Sequence, residues 1–221
     1  MHPTVVFFEL GYAFNILALL ILITHIRMKR HIEGISVYTQ LIFAIAAFLK
    51  VFYMPFTILV DFWVCWLELL ASVFLSGYLM YQLKTYNRLS FSKETNYFDW
   101  RIIIAVSAVL AAISTYEKSH PFEWSQYAIR FSIIAEAIGL LPQIRFMKIE
   151  KFVPKYFGWY LICVMLNRIS RIGFWVYQIK DNFSSDSYYT LIIADLVYII
   201  LTADFIYNFF KHKNNNVIPY S

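Results

Sequence analysis

The sequence is poor in charge and in the residues that punctuate soluble folds: 15% of its 221 residues are charged, six are glycine, six proline and two cysteine. Each shortage excludes something. So few glycines leave no glycine-rich loop of the kind that cradles a phosphate. Cys65 and Cys163 both fall inside apolar runs and read as small buried residues, not as a disulfide or a metal pair. No Ser-His-Asp set and no metal-spaced cluster stands out, so an enzyme, a metal and a cofactor are not expected. No long Pro/Ser-rich linker marks off a soluble domain. The opening MHPTVVFFEL lacks a basic region, and the apolar run it begins is too long for a signal peptide, so it reads as a retained first spanning helix.

What the chain has instead is apolar surface: 60% hydrophobic residues, 20% aromatic, mean hydropathy +0.58. That exceeds a soluble domain and indicates a membrane protein embedded in lipid. Seven segments approach the roughly 20 residues needed to cross a bilayer, at 4–26, 35–53, 57–83, 100–117, 122–145, 156–178 and 188–210, with a cytosolic tail at 211–221. Short connections make the expected architecture one all-α bundle of seven transmembrane helices. Arg27, Lys29, Arg30, Lys84, Arg88, Lys93, Arg101, Arg145, Lys148, Lys151, Lys155, Lys211 and Lys213 fall on one side, and only Lys118 and Lys180 on the other. The positive-inside rule then puts the amino terminus in the lumen and the carboxyl terminus in the cytosol. The formal charge of +5 is of this kind and does not point to nucleic acid.

Inside the spans lie Lys50, Arg130, Arg168 and Arg171, all assigned by this orientation to the lumenal half. Charges within a bilayer are costly and are functional by default. Arg168, Arg171, Trp175 and Gln178 follow one another at i, i+3, i+7 and i+10, which on a helix is a single stripe. The expectation is a lumen-open hollow that favours an anion. Glu9, Glu136 and Asp195 lie at matching depth, so the plainer alternative is that the arginines pair with Glu136 or Asp195 to fix helix packing. Lys50 and Arg130 are near enough to helix ends to snorkel. Pro142, in LLPQ, is expected to kink the fifth helix.

A weak internal repeat relates Asn15-Ile-Leu-Ala-Leu-Leu to Glu136-Ala-Ile-Gly-Leu-Leu, and Tyr38…Lys50 to Tyr156…Arg168. It fits two parallel three-helix repeats joined by a linker helix, as in SWEET and PQ-loop folds. At Gly34-Ile-Ser36, Gln40–Ala44, Ser132…Glu136…Leu141-Pro-Gln143, Arg168, Trp175 and Asp204-Phe-Ile-Tyr207, the chain resembles the KDEL receptors, the ER lumen protein-retaining receptors. The resemblance implies a receptor in endoplasmic reticulum and cis-Golgi membranes. Such a receptor recognises the C-terminal tetrapeptide of escaped ER lumenal proteins and is returned with them by the COPI coat.

By the same resemblance, Lys50 stands where the family has an arginine that holds the ligand's terminal carboxylate, and Arg168 and Trp175 match residues of the site. Glu136 matches the glutamate of a pH-dependent lock. Asp204 matches an aspartate tied to retrograde movement, and Lys211 and Lys213 the coat-binding patch. The chain departs from the pattern at Phe8 and Asn15, where the family has an arginine and the pH-sensing histidine, and at Tyr53, where it has an aspartate. Gln126 replaces the glutamate that meets the ligand's basic residue, Asn167 and Arg171 replace two tyrosines, and Gln178 replaces an arginine. The plainer readings are interhelical hydrogen bonds for Asn15 and Asn167, and ordinary positive-inside charge for the tail lysines. His25, His31, His120 and His212 are pH-sensor candidates by residue type alone. A small-solute transporter of the PQ-loop or SWEET type is the alternative function.

Overall fold

The computed structural model describes residues 3–29, 35–56, 63–86, 99–116, 124–150, 155–180 and 186–211, and within them every regular element is helical. The helices are α1 (Pro3–Lys29), α2 (Val37–Tyr53), α3 (Trp63–Tyr86), α4 (Trp100–Thr115), α5 (Trp124–Ile138), α6 (Leu141–Glu150), α7 (Lys155–Lys180) and α8 (Asp186–Lys211), with a 3-10 turn at Met54–Phe56. Because α5 and α6 are two halves of one span, the helices among the described residues make seven spans.

Among the described residues three stretches are long and apolar enough to cross a bilayer unaided: Val5–Met28, Trp63–Tyr86 and Trp124–Arg145. Shorter apolar runs are Val37–Phe52, Trp100–Thr115 and Tyr189–Ala203. The interior of α7 carries Asn167, Arg168, Ser170 and Gln178, all buried, and that polarity explains why hydropathy alone does not mark it. Outward positions are apolar, among them Trp63, Phe74, Ile113 and Ile200. Polar side chains face inward, the inverse of a soluble bundle and the arrangement of an all-α membrane protein.

The spans pair as two related triplets. In the first, α3 packs on α1 and α2; in the second, α8 packs on α5 and α7. Across the bundle α1 lies on α7 and α2 on α5, and α4 rests against α5. Exchanging spans one, two and three for five, six and seven leaves these pairings unchanged, that of the linker α4 apart, as two parallel repeats with a linker require.

Ser36 begins α2: its hydroxyl accepts the Thr39 N–H at 3.2 Å, an N-cap. Asp99 does the same for α4, accepting from Arg101 N at 2.9 Å. The fifth span is broken outright, not merely kinked at Pro142. Proline has no N–H to offer the Ile138 carbonyl, so α5 ends at Ile138 and α6 starts at Leu141. Gly139 N closes the upper half on Ala135 O at 2.7 Å, and Ile144 N opens the lower half on Leu140 O at 3.1 Å. A Cβ at Gly139 would stand 2.6 Å from Ala135 O and 2.8 Å from Ile42 Cγ2. Gly139→Ala is therefore expected to force α2 and α5 apart and to cost about 1–3 kcal/mol. A lowered thermal midpoint of the purified protein checks this; an unchanged one would show that α2 can shift freely.

Candidate functional site

The stripe on α7 is turned inward by what lies on its other face. Gly173, almost opposite Arg171 around the helix, meets the Phe7 ring of α1, where an added Cβ would come within 2.7 Å. Close approach there directs Arg168, Arg171 and Trp175 towards α5 and α8.

Two carboxylates receive them. On Glu136, Oε1 accepts from Lys50 Nζ at 2.5 Å, and Oε2 accepts from Arg168 Nη1 at 2.7 Å and Arg171 Nη1 at 2.6 Å. On Asp195, Oδ1 lies 3.2 Å from Arg168 Nη1 and 3.0 Å from Arg171 Nη2, and Oδ2 accepts from Trp175 Nε1 at 3.3 Å. The guanidinium carbon of Arg168 also sits 4.2 Å from the Tyr198 ring centroid, a cation–π contact in a desolvated place. The knot thus joins α2, α5, α7 and α8 and so ties one repeat to the other.

An open cationic hollow is not what forms. The three cations converge as the stripe and the depth of Lys50 suggest, but carboxylates of the chain already hold them, because bare charges here would be prohibitively desolvated. Compensation is incomplete: three positive groups face two negative ones, a formal surplus of one. Arg168 Nε and Arg171 Nη2 are buried without a hydrogen-bond acceptor, the latter because Asp195 lies close but off its N–H direction. Access is graded. The Lys50 and Arg171 side chains are each 14% exposed, and that of Asp195 is fully enclosed, so an entering group meets Lys50 and Arg171 first. Preorganised, charge-assisted donors of this kind suit a carboxylate.

The remaining sequence candidates divide. Asn15 donates to Ser72 Oγ at 2.6 Å, joining α1 to α3 as an ordinary interhelical bond. Asn167 is buried, and its side-chain oxygen would lie 3.3 Å from a Cβ at Gly11, so it belongs to the α1–α7 seam. Gln178 is buried two turns beyond Arg171, about 10 Å along the helix. Gln126, half-buried in the first turn of α5, lies ten residues from Glu136, about 15 Å away along the helix, and is not part of the knot. Arg130 is 3% exposed, so it turns into the bundle and does not snorkel. Asp204 and Lys211 lie on α8, their side chains outside the described residues, as is the whole of Lys213. His25 stacks on Tyr156 with centroids 3.3 Å apart, remote from the knot; His31, His120 and His212 are outside the described residues. Both cysteines are buried and free, and among the described residues no group of His, Cys, Asp or Glu is placed to hold a metal.

Sequence reasoning names Asp195 only as a counter-charge at the right depth and misses Tyr198 altogether. Their i, i+3 spacing on α8 is the available signal. It also misses the hydrogen bonds that close the other half of the bundle: Gln40 Nε2 to Tyr160 Oη at 3.2 Å and Ser36 N to Gln143 Oε1 at 2.7 Å.

Comparison with known proteins adds an independent line. The family model described as "ER lumen protein retaining receptor" matches residues 31–178. A Caenorhabditis elegans protein named "ER lumen protein-retaining receptor erd-2.2" is 27% identical over 199 residues, 87% of each chain. Proteins named "ER lumen protein-retaining receptor" from Entamoeba histolytica and Petunia hybrida are each 26% identical, over 204 and 206 residues, covering 90% and 91% of this chain and 90% and 92% of theirs.

Proposed function

This chain belongs to the ER lumen protein-retaining receptor family, and from that premise we propose that it binds C-terminal retrieval tetrapeptides of escaped ER lumenal proteins in the Golgi and returns them to the endoplasmic reticulum in COPI vesicles. The observation that carries the reading is the buried knot of Lys50, Arg168 and Arg171, one charge short of neutral and with arginine N–H groups still unaccepted. A peptide's terminal carboxylate offers acceptors to those N–H groups. The amino terminus faces the lumen, so Lys50 and Arg171 open towards the cargo, while Lys211 and Lys213 face the coat. Cargo binding biases an equilibrium between bundle conformations that alters the cytosolic ends of the helices.

The test is a panel of C-terminal tetrapeptides titrated against the purified full chain in free-acid and amidated forms, with Lys50→Ala and Arg168→Ala alongside. Free acids bind, amides bind at least about a hundredfold more weakly, and both variants lose affinity. Equal binding by amides excludes the carboxylate role. With Asn15 engaged on Ser72 where the family histidine stands, affinity at pH about 5.5 and about 7.5 differs by less than about tenfold, since among the described residues no imidazole belongs to the knot. A steep preference for acid would place a sensor elsewhere.

The broken fifth span favours a second reading, a small-solute transporter of the PQ-loop or SWEET type, because helix breaks line transport paths. The Gln40–Tyr160 and Ser36–Gln143 bonds oppose it by closing the half beyond the knot. Flux of sugars or cationic amino acids into proteoliposomes decides between them, and none is expected.

A further inference from the structure

Of the two carboxylates in the knot, one is gripped and the other is only lodged. Glu136 is held at 2.5, 2.6 and 2.7 Å. Asp195 is held at 3.0, 3.2 and 3.3 Å, and one of those contacts is too poorly aligned to be a hydrogen bond. Yet the partners of Asp195 are the ones a guest carboxylate needs: two guanidinium groups and an indole N–H, converging from one stripe of α7 on a single anion. Asp195 alone among them comes from α8, so its withdrawal leaves that stripe in place.

We propose that the Asp195 carboxylate is a tethered stand-in, seated in the subsite formed by Arg168, Arg171 and Trp175, and that an external carboxylate must displace it to bind. The chain thereby sets its own threshold. The free protein holds Arg168 and Arg171 ready for an anion, and a ligand succeeds only if its carboxylate makes shorter, better aligned bonds than Asp195 does. Apparent affinity is lowered by the fraction of molecules in which the stand-in remains seated. Weak anions, chloride among them, are rejected, and ligands that add contacts with Lys50 or the unaccepted Arg168 Nε are selected.

The inference rests on the reading of the knot as a carboxylate receptor, and the experiment separates the two. Thermal midpoints of the full chain in detergent are measured for wild type, Asp195→Asn, Asp195→Glu and Asp195→Ala. Each is measured in acetate and in chloride at equal ionic strength, and with free-acid and amidated tetrapeptides. Asp195→Asn binds free acids on the order of ten to a hundredfold more tightly than wild type, the gain for removing a competitor seated in 90–99% of molecules (roughly). Asp195→Glu, which keeps the charge, stays at or below wild type. Acetate raises the midpoint of Asp195→Ala well above its value in chloride and leaves wild type unchanged.

If free acids bind wild type but Asp195→Asn binds them equally or less tightly, the stand-in is overturned and Asp195 only positions the arginines. If no peptide binds any form while acetate still protects Asp195→Ala, the peptide reading fails and the displaceable carboxylate stands. Neutral variants recovered only in acetate also support it. Neutral variants recovered in neither salt overturn it, because an external carboxylate then does not reach the place.

Discussion

Glu136→Gln is expected to destabilise the protein by about 3–5 kcal/mol, the usual result of stripping one partner from a buried ion pair, and more than any other single change at the site. The amide has the shape of the acid, so the loss is electrostatic. Lys50, Arg168 and Arg171 would face Asp195 alone, three cations around one loosely held carboxylate. With total stabilities of only about 5–15 kcal/mol, the variant should aggregate on extraction or show a sharply lowered thermal midpoint. The double variant Lys50→Met/Glu136→Gln should recover part of the loss, since it removes one charge of each sign; a double-mutant cycle measures how much. A wild-type midpoint for Glu136→Gln would show that Asp195 alone can hold the cations.

Arg168→Lys should weaken free-acid peptide binding by about a hundredfold while leaving the protein folded. The charge survives, but Arg168 donates from Nη1 to both Glu136 and Asp195 while its guanidinium carbon lies over the Tyr198 ring. A lysine ammonium is a point charge on a flexible stem and does not hold that fixed arrangement of carboxylates and ring together. It also lacks the Nε–H that is left unaccepted in the free protein. The measurement is a titration beside a thermal melt: affinity falls, the midpoint moves by a few degrees. A lysine variant that binds like wild type would mean the guest reads charge alone.

Much of this was legible in the sequence, for identifiable reasons. Hydropathy and the distribution of lysine and arginine mark the spans because the bilayer punishes exceptions. The stripe on α7 is legible because helical spacing is local, and the convergence of Lys50 with Arg168 and Glu136 follows from matching depth. The break in the fifth span is half legible. Pro142 announces a disturbance, but a full interruption at Gly139 depends on how closely Ile42 packs, which only the fold settles. The site's occupancy was the least legible part. That Asp195 sits against Arg168, Arg171 and Trp175, while Arg130 turns inward, depends on the rotation of α8 and α5 about their axes, and in an apolar bundle hydropathy constrains that rotation weakly. Asn15 follows the plainer of its two sequence readings, an interhelical hydrogen bond, here to Ser72.

The second helix is fastened at both ends to the same interrupted span. Its N-cap, Ser36, gives its backbone N–H to Gln143 beyond the break; fourteen residues on, roughly 21 Å along the axis, Lys50 grips Glu136 before it. A stiff rod bolted across a joint works as a strut. Should the two pieces of the fifth span change their mutual tilt, the strut must slide lengthwise or let go at one end. Were Lys50 to release Glu136, Ser36 and Gln143 would be the remaining polar tie between that strut and the interrupted span, and the elbow at Gly139 would lose one of its two braces.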